Sequence, residues 1–373
     1  MTVVVAGLEG VAAAESKICC IDGDEGLLAY RGYNIHILAE YATFEEVVFL
    51  LWHGRLPKQA ELEELKATLA AARTIPKPVE DFLATVLHAA PMDVLRTAVS
   101  MLGLYDPEAH DHSEAVNLRK AARLVSQAAT IVTTFARLRI GRPPVAGDPA
   151  LSTAANFLYT LSGKRPDAVT ERALDVSLTL HAEHEFNAST FAGRVTAATL
   201  SDMHSAVTSA IGAVKGPLHG GANEEVIRML LEAETPERAP AMIEDRLANK
   251  KKIPGFGHRV YHTGDPRAAH QRAWSEELGR HTGHTDLNLT SQRIETEMKR
   301  LKNLAANVDF YSASTYYCLG IPADLFTAVF AVSRMAGWTA HVMEQYSHNR
   351  LIRPRAEYTG EPVDKPWITI EER

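Results

Sequence analysis

Three segments of the sequence each carry one titratable side chain among small or conformationally permissive residues. Asp309 lies in the stretch Asn-Val-Asp-Phe-Tyr-Ser, His219 lies in Gly-Pro-Leu-His-Gly-Gly, and His258 lies in Pro-Gly-Phe-Gly-His-Arg. Glycines let a substrate approach the main chain closely. One carboxylate and two imidazoles can remove a proton from carbon and polarise two carbonyl groups. These residues indicate a carbon–carbon condensation through an enol, not the triad of a hydrolase.

Each of these side chains also has an ordinary structural explanation. An isolated Asp309 could cap a helix or form a salt bridge, and His219 could be a loop histidine bonded to the main chain. His219 precedes a helix predicted from about residue 223, whose N-terminus would keep the imidazole neutral and able to donate one N–H. Taken one at a time, the residues leave both interpretations open.

Two arginines could bind carboxylate groups. Arg334 lies in a predicted apolar helix over 325–343, where an unpaired guanidinium would be costly and would need an anion. An internal salt bridge is the alternative. Arg267 follows an Asp-Pro pair that is typical of an N-cap and a first helical position. A cation in the first turn opposes the helix dipole, and a bound carboxylate would offset that cost.

Two further histidines, His181 and His184, are spaced i, i+3 on a helix predicted over 168–188. Glu183 and Glu185 lie beside them, so a metal site is one interpretation. The HExxH spacing of helical zinc sites is missing nearby, and we therefore expect no metal.

Length, charge and cysteine content limit the class of protein. A chain of 373 residues predicts two domains, and the formal net charge of −7 argues against a general nucleic-acid binder. Cys19, Cys20 and Cys318 have neither disulfide nor zinc-site spacing, which favours a reducing compartment. We find no signal or transit peptide and no apolar run of membrane-spanning length. We therefore expect a cytoplasmic protein that binds no membrane.

The elements that must position these residues follow a helical period. Thr43 and Glu46 form a capping box before an apolar helix, and Gln59 to Arg73 predicts the next one. Apart from a possible short hairpin near 17–31, strand alternation is scarce, so we predict a mainly α-helical fold. The remaining predicted helices cover 92–104, 117–139, 152–162, 168–188, 191–213, 223–233, 239–250, 266–281, 290–303 and 323–346.

Loops rich in Gly and Pro suggest how the helices are divided. We predict a large helical domain of residues 1–219 and 319–373 and a smaller helical domain of residues 220–318. Acid–base residues at the junctions would then close a cleft from several sides. The loops in question lie at 141–149, 216–221, 253–266 and 318–322.

Several long motifs in a fixed order resemble the citrate synthase family over nearly the whole chain. This resemblance is more specific than any single short motif. It implies a two-domain all-helical fold, with dimerisation and oxaloacetate contacts in the large domain and CoA contacts and the catalytic Asp in the small one. Besides the three segments above, the matching stretches are Gly7 to Val11, Tyr30 to Tyr33, His181 to Thr190, Phe330 to Arg334 and Arg353 to Arg355.

The resemblance assigns a role to each acid–base residue. It implies that Asp309 removes a methyl proton from acetyl-CoA, that His219 donates to the enol oxygen, and that His258 hydrogen-bonds and protonates the ketone of oxaloacetate. It implies that oxaloacetate also contacts His184, Arg267 and Arg334, while His181 is structural. No metal and no permanently bound cofactor is implied, since acetyl-CoA and CoA act as co-substrate and product.

The resemblance also implies contacts that the residue types alone do not predict. Arg353 lies in an exposed-looking basic run, and the family places it in the partner subunit's site, so we expect a homodimer. Lys251 could meet the CoA phosphates, although most of that lysine run is expected to be solvated. His262 and Pro254 depart from the family's usual Lys and Met. CoA contacts are expected at Lys251, Ile253, Gly255, Phe256 and Gly257.

The expected function is condensation of acetyl-CoA with oxaloacetate to citrate. One alternative is 2-methylcitrate synthesis from propionyl-CoA, since one methylene in an acyl pocket is worth only about 1–3 kcal/mol. A second alternative is a non-catalytic ligand-binding or scaffold protein on the same fold. Loss of Asp309, His219 or His258 would favour that interpretation, and all three are present.

Overall fold

The computed structural model describes residues 4–373, and α-helices make up most of that range. Eight helices precede His184: α1 (Ile35–Tyr41), α2 (Phe44–His53), α3 (Gln59–Ala71), α4 (Lys77–Thr85), α5 (Pro91–Leu102), α6 (Glu114–Leu138), α7 (Thr153–Ser162) and α8 (Ala168–His181). Eight follow it: α9 (Ala188–Ala197), α10 (Met203–Val214), α11 (Ala222–Ala233), α12 (Ala239–Ala248), α13 (Ala268–Thr282), α14 (Thr285–Lys302), α15 (Val308–Cys318) and α16 (Phe326–Ser347). The prediction of a mainly α-helical fold is confirmed.

A small antiparallel sheet near the N-terminus contains the predicted hairpin. Its strands are β1 (Cys19–Asp22), β2 (Leu27–Tyr30) and β3 (Tyr33–Asn34), in the order β1-β2-β3. Cys19 pairs with Tyr30 and Asp22 pairs with Leu27, so residues 23–26 form the turn. The hydroxyl of Tyr30 donates to the main-chain oxygen of Glu183 at 2.9 Å. The hairpin is therefore tied to the segment that carries His184.

The apolar core surrounds α16. This 22-residue helix packs against α2, α6, α8, α9 and α10. Trp338 and Phe326 are among its fully buried side chains. Helices α11, α13 and α14 pack around α15. These two groups of helices meet where α13 and α15 contact α8, although the domain boundaries at 219–220 and 318–319 stay predictions.

Helix ends follow local sequence where a polar cap is present. Thr43 accepts from the main-chain N–H of Glu46, and the Glu46 carboxylate accepts from the N–H of Thr43, so the predicted capping box is confirmed. Such a cap stabilises a helix by about 1 kcal/mol. Gly54 ends the same helix with a φ of 74°, which suits glycine.

Several predicted helix boundaries are wrong, among them the start of α14, which was predicted at 290 and lies at Thr285. The helix predicted over 168–188 ends at His181, because Glu185 has a φ of 53° and Asn187 caps a new helix. The helix predicted over 191–213 is two helices, α9 and α10, separated where Leu200 has a φ of 62° and Asp202 caps α10. Helix α13 begins at Ala268, so Asp265 and Pro266 lie before it in a turn. The helical period continued through these caps, and it alone did not indicate the breaks.

Helices α1, α4 and α15 were not predicted. Helix α15 is rich in aromatic and hydroxyl residues, which are weak helix formers, and its burial outweighs that preference. No helix within residues 4–373 is long and apolar enough to cross a membrane.

Candidate active site

Asp309 is the second residue of α15. The side chain of Asn307 caps this helix by accepting the main-chain N–H of Asp309 at 3.1 Å. Burial raises the pKa of Asp309 to about 6, against the opposing influence of the cations Arg267 and Arg334. The side chain retains some exposure to solvent. A carboxyl group with this pKa is ionised at neutral pH and is a stronger base than an ordinary aspartate.

We call residues 253–267 the His258 loop, and it is hydrogen-bonded to the start of α15. The N–H of Asn307 donates to the oxygen of Gly255 at 2.9 Å, and that of Gly257 donates to the oxygen of Ala305 at 3.1 Å. The side-chain amide of Asn307 donates to the oxygen of Gly257 at 3.0 Å, and the N–H of Val308 donates to Asp265 at 3.0 Å. His258 and Asp309 are therefore held on one bonded unit.

Gly255 and Gly257 have φ values of 82° and 77°, which favour glycine. A Cβ on Gly255 would also lie 2.9 Å from the side chain of Phe310. The close packing of the His258 loop on α15 therefore requires glycine at 255.

The hydrogen bonds of His258 assign its tautomer. The main-chain N–H groups of Val260 and Tyr261 both donate to Nδ1, at 3.0 and 3.2 Å. Nδ1 must therefore be unprotonated, and the proton lies on Nε2. Burial and the charge of Arg267 lower the pKa of His258 to about 4. His258 is thus a neutral side chain with one N–H to donate.

His219 has a comparable arrangement with its ring nitrogens exchanged. Nε2 lies 3.3 Å from the main-chain nitrogen of Ser189 and 2.9 Å from its hydroxyl. The Ser189 N–H is shared with Oδ1 of Asn187 at 3.1 Å. Because a main-chain N–H can only donate, this contact favours an unprotonated Nε2 and a proton on Nδ1. Burial, followed by the charge of Arg334, lowers the pKa of His219 to about 4. Ser189 lies in the first turn of α9, and a helix N-terminus also disfavours imidazolium.

His184 is not on a helix, contrary to the prediction, because α8 ends three residues before it. Its Nε2 lies 3.1 Å from the hydroxyl of Tyr261, and its ring centroid lies 5.4 Å from that of His258. Burial and then the charges of Arg267 and Arg334 lower its pKa well below the ordinary value. A neutral histidine beside two cations suits a site for an anion.

The two buried arginines differ in their partners. Arg267 donates to the Asp265 carboxylate through Nε at 2.9 Å and through Nη2 at 2.8 Å. Arg334 donates through Nε to the main-chain oxygen of His181 at 2.6 Å, and its Nη1 has no partner among residues 4–373. Its guanidinium carbon lies 4.7 Å from the centroid of Phe330. An internal salt bridge therefore describes Arg267, whereas Arg334 keeps an unmatched donor.

His181 is fully buried, with Nδ1 2.8 Å from the main-chain oxygen of Ser177. Its ring packs 5.2 Å from that of Phe330, and burial lowers its pKa to about 3. No group of three or more His, Cys, Asp or Glu side chains within residues 4–373 is arranged to hold a metal ion.

The residues expected at CoA lie in two environments. Ile253 is buried, and Phe256 packs on Phe310 with ring centroids 4.6 Å apart. Lys251 is exposed, as is Lys252 beside it. Arg353 is exposed in the non-helical stretch after α16. The fold thus assembles the residues around His258, and it leaves Lys251 and Arg353 facing solvent.

Two residues that bond to the site were not singled out from sequence. Tyr261 bonds to His184 and also donates its main-chain N–H to His258. Ser189 bonds to His219 and accepts from the indole N–H of Trp338 at 3.2 Å. Ser189 lies inside the stretch His181 to Thr190, and Tyr261 lies two residues after the segment of His258. A hydroxyl in or near a motif does not by itself indicate which histidine it contacts.

Known proteins resemble this chain over nearly its whole length. A model of the citrate synthase C-terminal domain matches residues 7–355. Citrate synthase 2 of Bacillus subtilis is 51% identical over 369 residues, which cover 98% of each chain. A 2-methylcitrate synthase of Shewanella oneidensis is 44% identical, over 95% of this chain and 94% of that protein.

The solved structures agree with the sequence comparison. A ternary complex of the Thermoplasma acidophilum citrate synthase with carboxymethyl coenzyme A and oxaloacetate superposes with a TM-score of 0.94. It is 32% identical in sequence, and the alignment covers 100% of both chains. The family match spans nearly the whole chain, and the curated relatives share its length. This chain therefore belongs to the citrate synthase family.

Proposed function

We propose that this chain condenses acetyl-CoA with oxaloacetate and hydrolyses the resulting citryl-CoA to citrate and CoA. One observation carries the proposal most directly. Burial keeps His219 and His258 neutral, so each carries one N–H. Two main-chain N–H groups donate to Nδ1 of His258, and one donates to Nε2 of His219. Two such donors and one carboxylate of raised pKa suit an enol condensation.

The first proposed step forms the enol of acetyl-CoA. Asp309 takes a proton from the methyl carbon, and the Nδ1–H of His219 donates to the thioester oxygen as charge develops there. A preorganised donor to a developing oxyanion contributes about 10²–10³ in rate. A carboxylate alone is a weak base for a carbon acid, so the donor is essential to the proposal.

The second proposed step joins the two substrates. The enol carbon attacks the ketone carbon of oxaloacetate, and the Nε2–H of His258 passes to the ketone oxygen. The proton that Asp309 took in the first step replaces the one that His258 gives up. His184, Arg267 and Arg334 hold the two carboxylates of oxaloacetate. The unmatched Nη1 of Arg334 supports this role, because a buried guanidinium needs an anionic partner. Water then cleaves the thioester of citryl-CoA, and CoA leaves.

CoA is proposed to bind as a co-substrate along Ile253, Gly255, Phe256 and Gly257, with Lys251 near its phosphates. Main-chain groups exposed by glycines suit contacts with an adenine ring. No permanently bound cofactor enters the reaction.

We propose further that the enzyme is a cytoplasmic homodimer in which Arg353 enters the partner's site. The exposure of Arg353 in a non-helical stretch supports a contact outside its own subunit. The apolar side chains of Val363, Trp367 and Ile370 are also largely exposed there, which suits burial against a second copy.

Release of the CoA thiol from acetyl-CoA, with and without oxaloacetate, tests the proposed function. We expect thiol release only when oxaloacetate is present, with citrate formed in equal amount. No release under any condition would leave a non-catalytic ligand-binding or scaffold protein as the better description.

The similarity to a 2-methylcitrate synthase leaves propionyl-CoA as an alternative substrate. The same assay with propionyl-CoA gives a second kcat/KM value. We expect acetyl-CoA to have the higher value, whereas a higher value for propionyl-CoA would reassign the enzyme to 2-methylcitrate synthesis.

A further inference from the structure

The turn between β1 and β2 packs directly on the His258 loop. The main-chain N–H of His262 donates to the oxygen of Gly23 at 2.9 Å. A Cβ added to Gly23 would lie 2.9 Å from the carbonyl carbon of Val260 and closer still to its oxygen. Since the atoms in the way are main-chain atoms, a side chain on Gly23 would have to displace the loop.

Gly23 does not need glycine for its backbone conformation. Its φ lies outside the left-handed region, unlike that of Gly26 in the same turn, which is 64°. Only the close approach to Val260 therefore requires glycine at position 23. Glycine is thus needed at position 23 for lack of space and at position 26 for its positive φ.

Val260 connects this contact to the chemistry of the site. Its N–H donates to Nδ1 of His258, while its C=O faces Gly23. The next residue, Tyr261, donates its N–H to the same Nδ1 and places its hydroxyl against His184. The peptide group between Val260 and Tyr261 thus donates its N–H to Nδ1 of His258 on one side, and its C=O contacts the hairpin turn at Gly23 on the other.

We infer that Gly23 is a positioning residue for the proposed condensation, because its contact with Val260 keeps His258 in the Nε2–H tautomer. The inference rests on the proposed function. The two tautomers of a neutral imidazole are close in energy, so their ratio depends on which nitrogen meets a donor. A shift of the peptide between Val260 and Tyr261 would withdraw one of the two donors from Nδ1. The preference for the tautomer with its proton on Nε2, the proton that is given to the ketone, would then weaken.

The main test is a double-mutant cycle of Gly23→Ala with His258→Ala, measured as kcat for CoA release. We expect Gly23→Ala alone to lower kcat at least about tenfold, since misplacing a general acid forfeits part of its typical 10²–10⁴ contribution. In the His258→Ala background the same change should lower the residual rate less than twofold. Losses that multiply in the double variant would overturn the inference.

Gly212→Ala is the matched control. Gly212 lies in α10, and a Cβ there meets nothing within 4 Å. This variant should keep the wild-type kcat. A loss equal to that of Gly23→Ala would show that added methyl groups act nonspecifically, and would also overturn the inference.

Nitrogen-15 NMR of the histidine rings supplies a readout that holds even if Gly23→Ala folds poorly. In the wild-type protein His258 should show a protonated Nε2 and an unprotonated Nδ1. The opposite tautomer there would contradict the inference without any variant. Wild-type CoA release is scored separately, so failure of the proposed function remains distinguishable from failure of the role of Gly23.

Discussion

Arg334 donates through Nε to the main-chain oxygen of His181 at 2.6 Å, yet its Nη1 has no hydrogen-bond partner among residues 4–373. Arg267, by contrast, has a bidentate carboxylate partner in Asp265. Burial lowers the pKa of Arg334, and the charge of Glu183 offsets this only in part. A buried guanidinium with an unmatched donor costs folding free energy, which a bound anion can return. Arg334 is therefore held in place by the main-chain oxygen of His181 and keeps Nη1 free to donate to an anionic ligand.

Arg334→Met should separate binding from stability. We expect KM for oxaloacetate to rise at least about tenfold, because a charge-assisted hydrogen bond contributes about 1.5–3 kcal/mol. We expect Tm without ligand to stay equal or rise, since a buried cation is removed whose burial cost the charge of Glu183 offsets only in part. Steady-state kinetics and thermal unfolding measure these quantities. Arg334→Lys is the control that keeps the charge, and a large fall in Tm for the Met variant would contradict this account.

Asp309→Asn should keep the shape of the site and remove the base. Loss of a general base typically lowers kcat by about two to four orders of magnitude. Binding of oxaloacetate, measured by calorimetry, should change little. Activity within a few-fold of wild type would rule out Asp309 as the base.

The wild-type pH profile should carry the signature of the same carboxyl group. Because burial raises the pKa of Asp309 to about 6, kcat/KM for acetyl-CoA should fall as the pH drops through about 6. His219 and His258 have pKa values of about 4 and stay neutral over that interval. Initial rates between pH 4.5 and 8 measure this fall in kcat/KM. A fall centred near the ordinary aspartate pKa would contradict the assignment of the profile to Asp309.

A second buried carboxyl group should affect stability rather than rate. Asp175 accepts the N–H of Phe44 at 2.9 Å, and burial together with nearby Glu45 raises its pKa to about 7. A raised pKa means that the folded state holds the proton to higher pH than the unfolded state. Because ionising the buried Asp175 is unfavourable, its contribution should lower the free energy of unfolding as the pH rises from about 4 to about 7.

Asp175→Asn cannot ionise, so its Tm relative to wild type should be higher at pH 8 than at pH 5. Thermal unfolding of both proteins at the two pH values measures this difference. The opposite trend would mean that the ion pair of Asp175 with Arg172 outweighs burial.

Mixing two inactive variants tests whether Arg353 acts across subunits. Arg353→Ala and His219→Ala should each be nearly inactive alone. Random exchange gives half of the dimers one intact site, so about a quarter of wild-type activity should return. Native mass spectrometry verifies that mixed dimers form. Mixed dimers without activity would place Arg353 in its own subunit's site or in none.

Some residues of the site could be predicted from the sequence and others could not. The segments around Asp309, His219 and His258 were identified from residue types and order, because glycines and titratable groups are visible in a sequence. Helix α15 was not predicted, since tertiary burial overrides the weak propensity of its aromatic residues. His184 lies outside a helix because the chain breaks there, with a positive φ at Glu185. Hydrophobic periodicity in the sequence does not indicate such a backbone angle.

Contacts between distant segments were the least predictable. The approach of Gly23 to Val260 joins positions more than two hundred residues apart in the chain. The bond between Ser189 and His219, which favours one tautomer of His219 through a main-chain N–H, joins positions 30 residues apart. Such contacts arise from the packing of whole elements, and local sequence does not encode their partners.

The hydrogen bonds between the His258 loop and the start of α15 have a consequence for recombination among relatives. Four bonds link Gly255, Gly257 and Asp265 to residues 305–308. A chimera that takes residues 253–267 from one relative and residues 304–309 from another would combine two hydrogen-bonded segments from different proteins. We therefore expect residues 253–309 to be the smallest block that can be exchanged between relatives with its chemistry intact.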